Sequence, residues 1–279
     1  MNKHTPLLLI AFGLLAACST PGETLKINGV NMGYATVFVG DTPNESFVDG
    51  KKLQDAVADP TFDIGPFKAW VDESKVARGY IHHSDSGAAT AFVASVGTMN
   101  YPHKHTAEQR SAGLTFLRHI EPAQPPEGTA KFIGKYAGMR RAYYDGEVES
   151  SIIYSGQMSG DVTLNADFSN SEVSGSITNR LYLHAQTNEI ITNLPLSDIT
   201  LHPTVINSDG SYSGNATGGG HARDVIVDPE IGGTYSGLIA GESAQETVGG
   251  VILPVINPRD NHPRRFNYLE FGVFIAEEP

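Results

Sequence analysis

Hydrophobic and polar positions alternate with a period of two over much of the second half of this chain. In DVTLNADFSN, Val162, Leu164, Ala166 and Phe168 fall on one side of an extended strand, and Asp161, Thr163, Asn165 and Asp167 fall on the other. That is the pattern of a sheet with one buried and one wet face. Segments of similar character recur as AKFIGKYAGMRR from 130, SSIIYSGQMSG from 150, VSGSITN from 173, LPLSDITLHPTVI from 194, GSYSGNATG from 210, GGTYSGLIAG from 232, TVGGVILPV from 247 and NYLEFGVFIA from 267. Short polar, Gly-containing interruptions separate them, which predicts antiparallel strands joined by turns. A barrel and a sandwich both satisfy this periodicity.

The pattern before residue 126 is more mixed. GYATVFVG at 33–40, KVARGYIHH at 75–83 and AATAFVASVG at 88–97 predict strands, because β-branched and aromatic residues lie between turn formers. SFVDGKKLQDAVADP at 46–60 predicts a short helix that stops before Pro60. In HTAEQRSAGLTFLRHI at 105–120, Ala107, Leu114 and Leu117 share a helical face, while TFLRHI alone also reads as a strand. EPAQPPEGT at 121–129 carries three prolines and a glycine and is the natural linker. The chain therefore divides into a β-rich region at 31–125 and a second β domain at 126–279.

Composition narrows the class. Hydrophobic residues make up 40% of the 279, enough for a core, and 30 glycines without a Gly-X-Y period fit a turn-rich β fold. The formal charge of −12, from 19 basic against 31 acidic side chains, argues against nucleic acid as a partner and against electrostatic attachment to anionic lipid. The single cysteine excludes an internal disulfide and any multi-thiolate metal site.

That cysteine lies in an informative place. MNKH supplies a basic start, PLLLIAFGLLAA an apolar run too short for a confident membrane span, and Leu15, Ala16, Ala17 and Cys18 follow. The order looks like a bacterial lipoprotein signal, with 1–17 removed, Cys18 lipidated and 18–30 serving as a tether to the membrane lipid. Each buried acyl methylene would contribute ~0.8 kcal/mol to the anchor. Ser19 after Cys18, rather than Asp, fits delivery to the outer membrane.

The second half resembles the β-barrel domain of the transferrin-binding protein B superfamily of bacterial surface lipoproteins. The resemblance is carried by AKFIGKYAG at 130–138, by the strand, turn and Gly-containing return strand DVTLNADFSNSEVSGSITN at 161–179, and by SYSGNATG at 211–218. It continues in GGTYSGLIAGESAQETVGGVI at 232–252 and the closing EFGVFIA at 270–276. It implies a mainly β chain: a C-terminal eight-stranded antiparallel barrel with a smaller N-terminal β-rich, handle-like region. Tyr235 is expected to cover the barrel interior or a strand seam, with Gly233, Gly237 and Gly241 tolerating close passage. Together with the lipoprotein signal, the resemblance implies an outer-membrane binding lipoprotein with a host protein or an envelope receptor as partner; the alternatives are a heme or small-ligand binding lipoprotein and a non-catalytic structural envelope lipoprotein. Full-length receptors of that family pair two lobes, and this chain has room for one.

Candidate binding residues follow from residue chemistry. Arg140 and Arg141 with Tyr143 and Tyr144 form one cationic and aromatic group, and Arg259, Arg264 and Arg265 beside Phe266 form a second. His82, His83, His103 and His105 are the candidates for heme or a metal, the only cofactors the sequence brings to mind. No catalytic arrangement is expected. GESAQ at 241–245 departs from the nucleophile elbow, and GGG at 218–220 lacks the lysine and hydroxyl of a phosphate loop. Asp161, Asp167, Glu172 and Glu242 read as strand and turn solubilisers.

Overall fold

The computed structural model describes residues 24–27, 30–33, 37–38, 47–48, 51–52, 57–71, 78–96, 111–123, 126–144, 154–184, 187–192, 196–219, 226–227, 233–256 and 266–279. Among the described residues the backbone is extended almost throughout, and the one helical turn is a 3-10 turn at Pro60–Phe62. Short strands come first. β1 (Thr24–Ile27) pairs with β2 (Val30–Gly33), and β3 (Val37–Phe38), β4 (Phe47–Val48) and β5 (Lys51–Lys52) form a small sheet. A five-stranded antiparallel sheet follows, built from β6 (Val57–Ala58), β7 (Lys68–Val71), β8 (Arg78–His83), β9 (Ala89–Val96) and β10 (Ser111–Arg118).

Where a short helix was expected within 46–60, the described residues 47–48, 51–52 and 57–58 are strand. Val48 pairs with Lys51, so only Asp49-Gly50 separates the two strands, and Asp-Gly is a strong two-residue hairpin signal. Further on, Asp59 caps the 3-10 turn by accepting from the Thr61 backbone N–H at 3.1 Å and the Thr61 hydroxyl at 2.6 Å. Residues 111–118 are likewise a strand rather than part of a helix. Leu114 and Phe116 lie at period two and pack against a buried cluster, and β10 pairs with β9 along its whole length.

The remaining strands are β11 (Thr129–Tyr144), β12 (Tyr154–Asp167), β13 (Glu172–Leu183), β14 (Ile199–Val205), β15 (Ser211–Gly218), β16 (Ile226–Val227), β17 (Gly233–Ala240), β18 (Glu246–Ile256) and β19 (Phe266–Glu277). The pairing order runs β11-β12-β13-β14-β15-β17-β18, all antiparallel, and β19 pairs with both β18 and β11. The sheet thus closes into an eight-stranded barrel, and the choice that periodicity left open falls against a sandwich. β16 adds only a two-residue pairing to the end of β18.

Two buried clusters explain the sequence pattern. The first fills the lumen with Phe132, Tyr136, Val162, Leu164, Ile177, Tyr212, Tyr235, Val251 and Phe274 among others. The alternation in β12 behaves as expected: Val162, Leu164 and Ala166 are buried inside, while Lys135 of β11 pairs with Asp161 on the outer surface at 2.5 Å. The second cluster lies outside the barrel wall. Phe67, Ala69, Tyr80, Ala91 and Val93 of the five-stranded sheet region meet Ala137, Met139, Val248, Phe271, Val273 and Ile275 of β11, β18 and β19. β19 is therefore buried on both faces, with Glu270, Phe274 and Ala276 turned inward and Phe271, Val273 and Ile275 beneath the sheet. This is why EFGVFIA is a continuous apolar run where DVTLNADF alternates.

The start of the linker region, at 120–123, is bonded to the barrel turn at 241–245. Ala123 N–H donates to Glu242 O at 2.8 Å, and Gly241 N–H donates to Ile120 O at 3.0 Å. Gly241 adopts φ +84°, the left-handed region that favours glycine.

Phe274→Ala removes a fully buried lumen ring and is expected to cost ~3–5 kcal/mol. Urea unfolding should show this as a lower midpoint with an unchanged slope; an effect within experimental error would contradict the packed lumen.

Candidate functional site

The two ends of the barrel differ. At one end β12 and β13 are joined through 168–171, β14 and β15 through 206–210, and β17 and β18 through 241–245. These turns hold themselves together. Asp167 accepts from Asn170 N–H at 3.1 Å and from Asn170 Nδ2 at 2.7 Å, and Asp209 accepts from Ser211 N–H at 2.9 Å. Gln245 Oε1 accepts from the Ser243 hydroxyl at 2.8 Å, so Ser243 is a turn residue. At the other end the strands are joined through 145–153, 184–198, 219–232 and 257–265.

Just inside that second end lies a charged group the sequence reading missed. Arg140 of β11 and Glu270 of β19 are cross-strand partners, and Arg140 Nη2 donates to Glu270 Oε2 at 2.7 Å. From β13, Arg180 Nη2 donates to Glu270 Oε1, which also accepts from the Tyr136 hydroxyl at 3.0 Å. All three charged side chains are at most 1% exposed. Room for Tyr136 comes from Gly138 and Gly272, which face one another across β11 and β19; a Cβ on Gly138 would come within 2.5 Å of the Tyr136 oxygen.

Among the described residues two guanidiniums share one carboxylate, and backbone carbonyls accept from further guanidinium donors. Arg140 Nη2 also donates to Gly219 O at 2.5 Å, and Arg180 Nη1 donates to Ser197 O at 2.6 Å. Gly219 and Ser197 sit where the chain enters 219–232 and leaves 184–198. The ion group therefore fixes the bases of two connections to one point in the lumen. Burial by itself would raise the Glu270 carboxyl, but Arg180 and Arg140 outweigh it and hold the group below the ordinary carboxylate range. Tyr136, desolvated beside Glu270, is pushed well above the usual phenol value and remains a donor.

Arg140, read from the sequence as one of a possible partner-binding group, lies in the lumen with its side chain buried. Position 140 has the same phase as Phe132 and Tyr136, and the inward direction was hidden because an isolated charge reads as exposed. Arg141, Tyr143 and Tyr144 belong to β11, but their side chains lie outside the described residues. Arg259, Arg264 and Arg265 also lie outside them, while Phe266 opens β19 opposite Tyr144. The backbone register places Tyr143 opposite Asn267 and Tyr144 opposite Phe266, at the second end of the barrel.

The histidines separate. Adjacent strand residues point to opposite faces, so His82 and His83 cannot face one ligand together. His82 lies on the buried-cluster side, its ring edge-on to Phe67 at 5.1 Å. Burial lowers its basicity, opposed in part by Asp85 and Glu246. His83 lies on the other face, where Nδ1 is 2.8 Å from the Thr90 hydroxyl, and that hydroxyl is 2.8 Å from His119 Nε2. Burial and then the neighbouring His119 lower His83. His103 and His105, like Cys18, lie outside the described residues. The sequence signal for His119 was its place just past the end of β10, across β9 from β8, which only the pairing register reveals.

Among solved structures, the chain is similar to transferrin-binding protein B. The isotype 1 protein from serogroup B Neisseria meningitidis is 17% identical, with a TM-score of 0.41 over 89% of this chain and 41% of that one. A mutant from Haemophilus parasuis Hp5 gives 16% identity and a TM-score of 0.38 over 90% of this chain and 42% of that one. Intact Ap-TbpB, with N and C lobes, gives 14% and 0.37 over 90% and 43%. The chain spans about two fifths of the length of each. No family model matches the sequence, and no curated protein matches it.

Glu270→Gln leaves two buried guanidiniums without their counter-charge and is expected to cost ~3–5 kcal/mol. The sign with pH follows from the depressed carboxyl. Its contribution is present above the unfolded value of about 4.3 and is lost as pH falls through the lower folded value. Urea denaturation across the acid range should therefore show the gap between wild type and Glu270→Gln narrowing on acidification; a pH-independent gap would rule out the charged form.

Proposed function

We propose that this protein is a lipid-anchored, non-catalytic binding protein of the bacterial outer membrane, displayed outward, that captures a host or envelope protein in the service of nutrient acquisition. Its partner surface is the barrel end that carries 145–153, 184–198, 219–232 and 257–265. One observation supports this reading above the others: the barrel closes with tight, self-bonded turns at one end and longer connections at the other, and a buried ion group secures the bases of two of those connections. Binding residues concentrate on such segments when a rigid scaffold presents them. Arg141, Tyr143, Tyr144 and Phe266 belong to the ends of β11 and β19 on this side, Arg259, Arg264 and Arg265 belong in sequence to the connection between β18 and β19, and residues of these types dominate many protein interfaces. The anchor reading rests on the order of basic start, apolar run and small residues before Cys18.

Heme is the less favoured alternative, because His82 and His83 diverge.

The anchor is tested by mass spectrometry of protein isolated from membranes. Cys18 is expected to carry acyl chains, Cys18→Ala to release the protein from the membrane, and an unmodified Cys18 in mature protein would reject the assignment. Protease treatment of intact cells is expected to digest the chain; protection until lysis would place it facing inward.

The partner surface is tested by replacing 145–153 and 257–265 with Asn-Gly turns and comparing proteins captured by crosslinking on cells exposed to serum, with purified transferrin and heme as defined probes. The shortened variant, shown folded by circular dichroism, is expected to lose capture. Unchanged capture would move the surface elsewhere.

A further inference from the structure

One corner of the five-stranded sheet holds a group that the proposed partner surface does not use. His83 of β8 and Thr90 of β9 are direct cross-strand partners, and His119 follows β10, where its N–H donates to Ala88 O at 2.7 Å. Three neighbouring strands therefore bring two imidazoles and one hydroxyl to a common face. The Thr90 hydroxyl has a single proton. It donates to one ring nitrogen, and the other ring must donate its own N–H to the Thr90 oxygen. His83 Nδ1 and His119 Nε2 each lie 2.8 Å from that oxygen, so they are no more than 5.6 Å apart, twice that distance.

We propose that His83 and His119 form a two-imidazole site for a borderline divalent cation of the Zn2+ or Ni2+ class, with the Thr90 hydroxyl and water as further ligands. Both imidazoles are exposed at this corner while Thr90 is buried beneath them, so an ion can enter from solvent and settle against a fixed oxygen. Zn–N bonds of about 2.0–2.1 Å require the two ring nitrogens to release their hydrogen bonds to Thr90 and converge to within about twice that bond length of each other, a change that rotation of exposed imidazoles supplies. The ring that now donates to Thr90 shifts its proton to its other nitrogen on binding, so no redox partner and no covalent step is involved. Imidazole nitrogen selects this class of ion over Mg2+ and Ca2+, which take oxygen ligands. His82 takes no part, because it lies on the opposite face of the same strand.

The test is calorimetric titration of chelator-treated mature chain with ZnCl2, with MgCl2 as the control cation. One Zn2+ per chain and no Mg2+ response are expected. His83→Gln and His119→Gln should each weaken Zn2+ binding by at least about tenfold, the low end of what losing even an outer-shell partner costs a metal site. His82→Gln should leave it unchanged. The inference is overturned if the His83→Gln, His119→Gln double variant binds Zn2+ as the wild type does, if binding disappears only when His103 and His105 are replaced, or if the folded wild type takes up no Zn2+. Because a histidine variant can fail to fold, the wild type provides a second readout: ring-nitrogen NMR should show Zn2+ perturbing His83 Nδ1 and His119 Nε2 together. Perturbation of neither overturns the site.

Discussion

The structure depends on the burial of β19 on both faces. Its hydrogen bonds to β11 and β18 close the barrel, its inward residues complete the lumen, and its outward residues form the floor on which the five-stranded sheet rests. A strand in that position has no solvated side on which to place charge, so its one acidic residue at mid-strand, Glu270, has to be neutralised from within the barrel. Arg140 and Arg180 do so, and their remaining donors reach the carbonyls of Gly219 and Ser197. Closure, core and the anchoring of two connections are thus consequences of one strand's environment. A buried ion group of this kind offers little net stability over an apolar replacement. Its contribution lies in directing specific backbone groups to fixed positions.

Much of the barrel was legible in the sequence because period two is a local property. β12 and its return strand β13 are adjacent in the chain, and their apolar residues mark the lumen face directly. Closure was not legible in the same way. It depends on Tyr136 and Glu270, 134 residues apart, lying on neighbouring strands, and no local pattern encodes that pairing. The family resemblance carried that part. The strand at 111–118 was obscured because leucines at 114 and 117 also fit a helical face, and it is the packing of Leu114 and Phe116 against the barrel that decides for period two.

The site was less legible than the fold. Arg140 looked like a surface contact because charge is ordinarily solvated, whereas its phase along β11 pointed inward. Glu270 was passed over, because an isolated carboxylate at the start of an apolar run acquires meaning only once both faces of the strand are known to be covered. His82 and His83 suggested a pair because they are adjacent in sequence, and adjacency on a strand is what separates them. The pair that does converge, His83 and His119, is contributed by β8 and the end of β10, with a threonine of β9 between them.

The position of β19 along the chain has a consequence for how the molecule is made. It is the last of the eight barrel strands to leave the ribosome, yet it pairs with the first, β11, and it forms much of the floor for a sheet synthesised earlier. Until it arrives, β11 and β18 each present an unpaired edge and the five-stranded sheet lacks its floor. Nascent chain short of residue 266 therefore cannot complete either hydrophobic cluster. Loop closure over such a separation is slow compared with local pairing. The topology itself therefore holds back completion of the fold until the last barrel strand has been made.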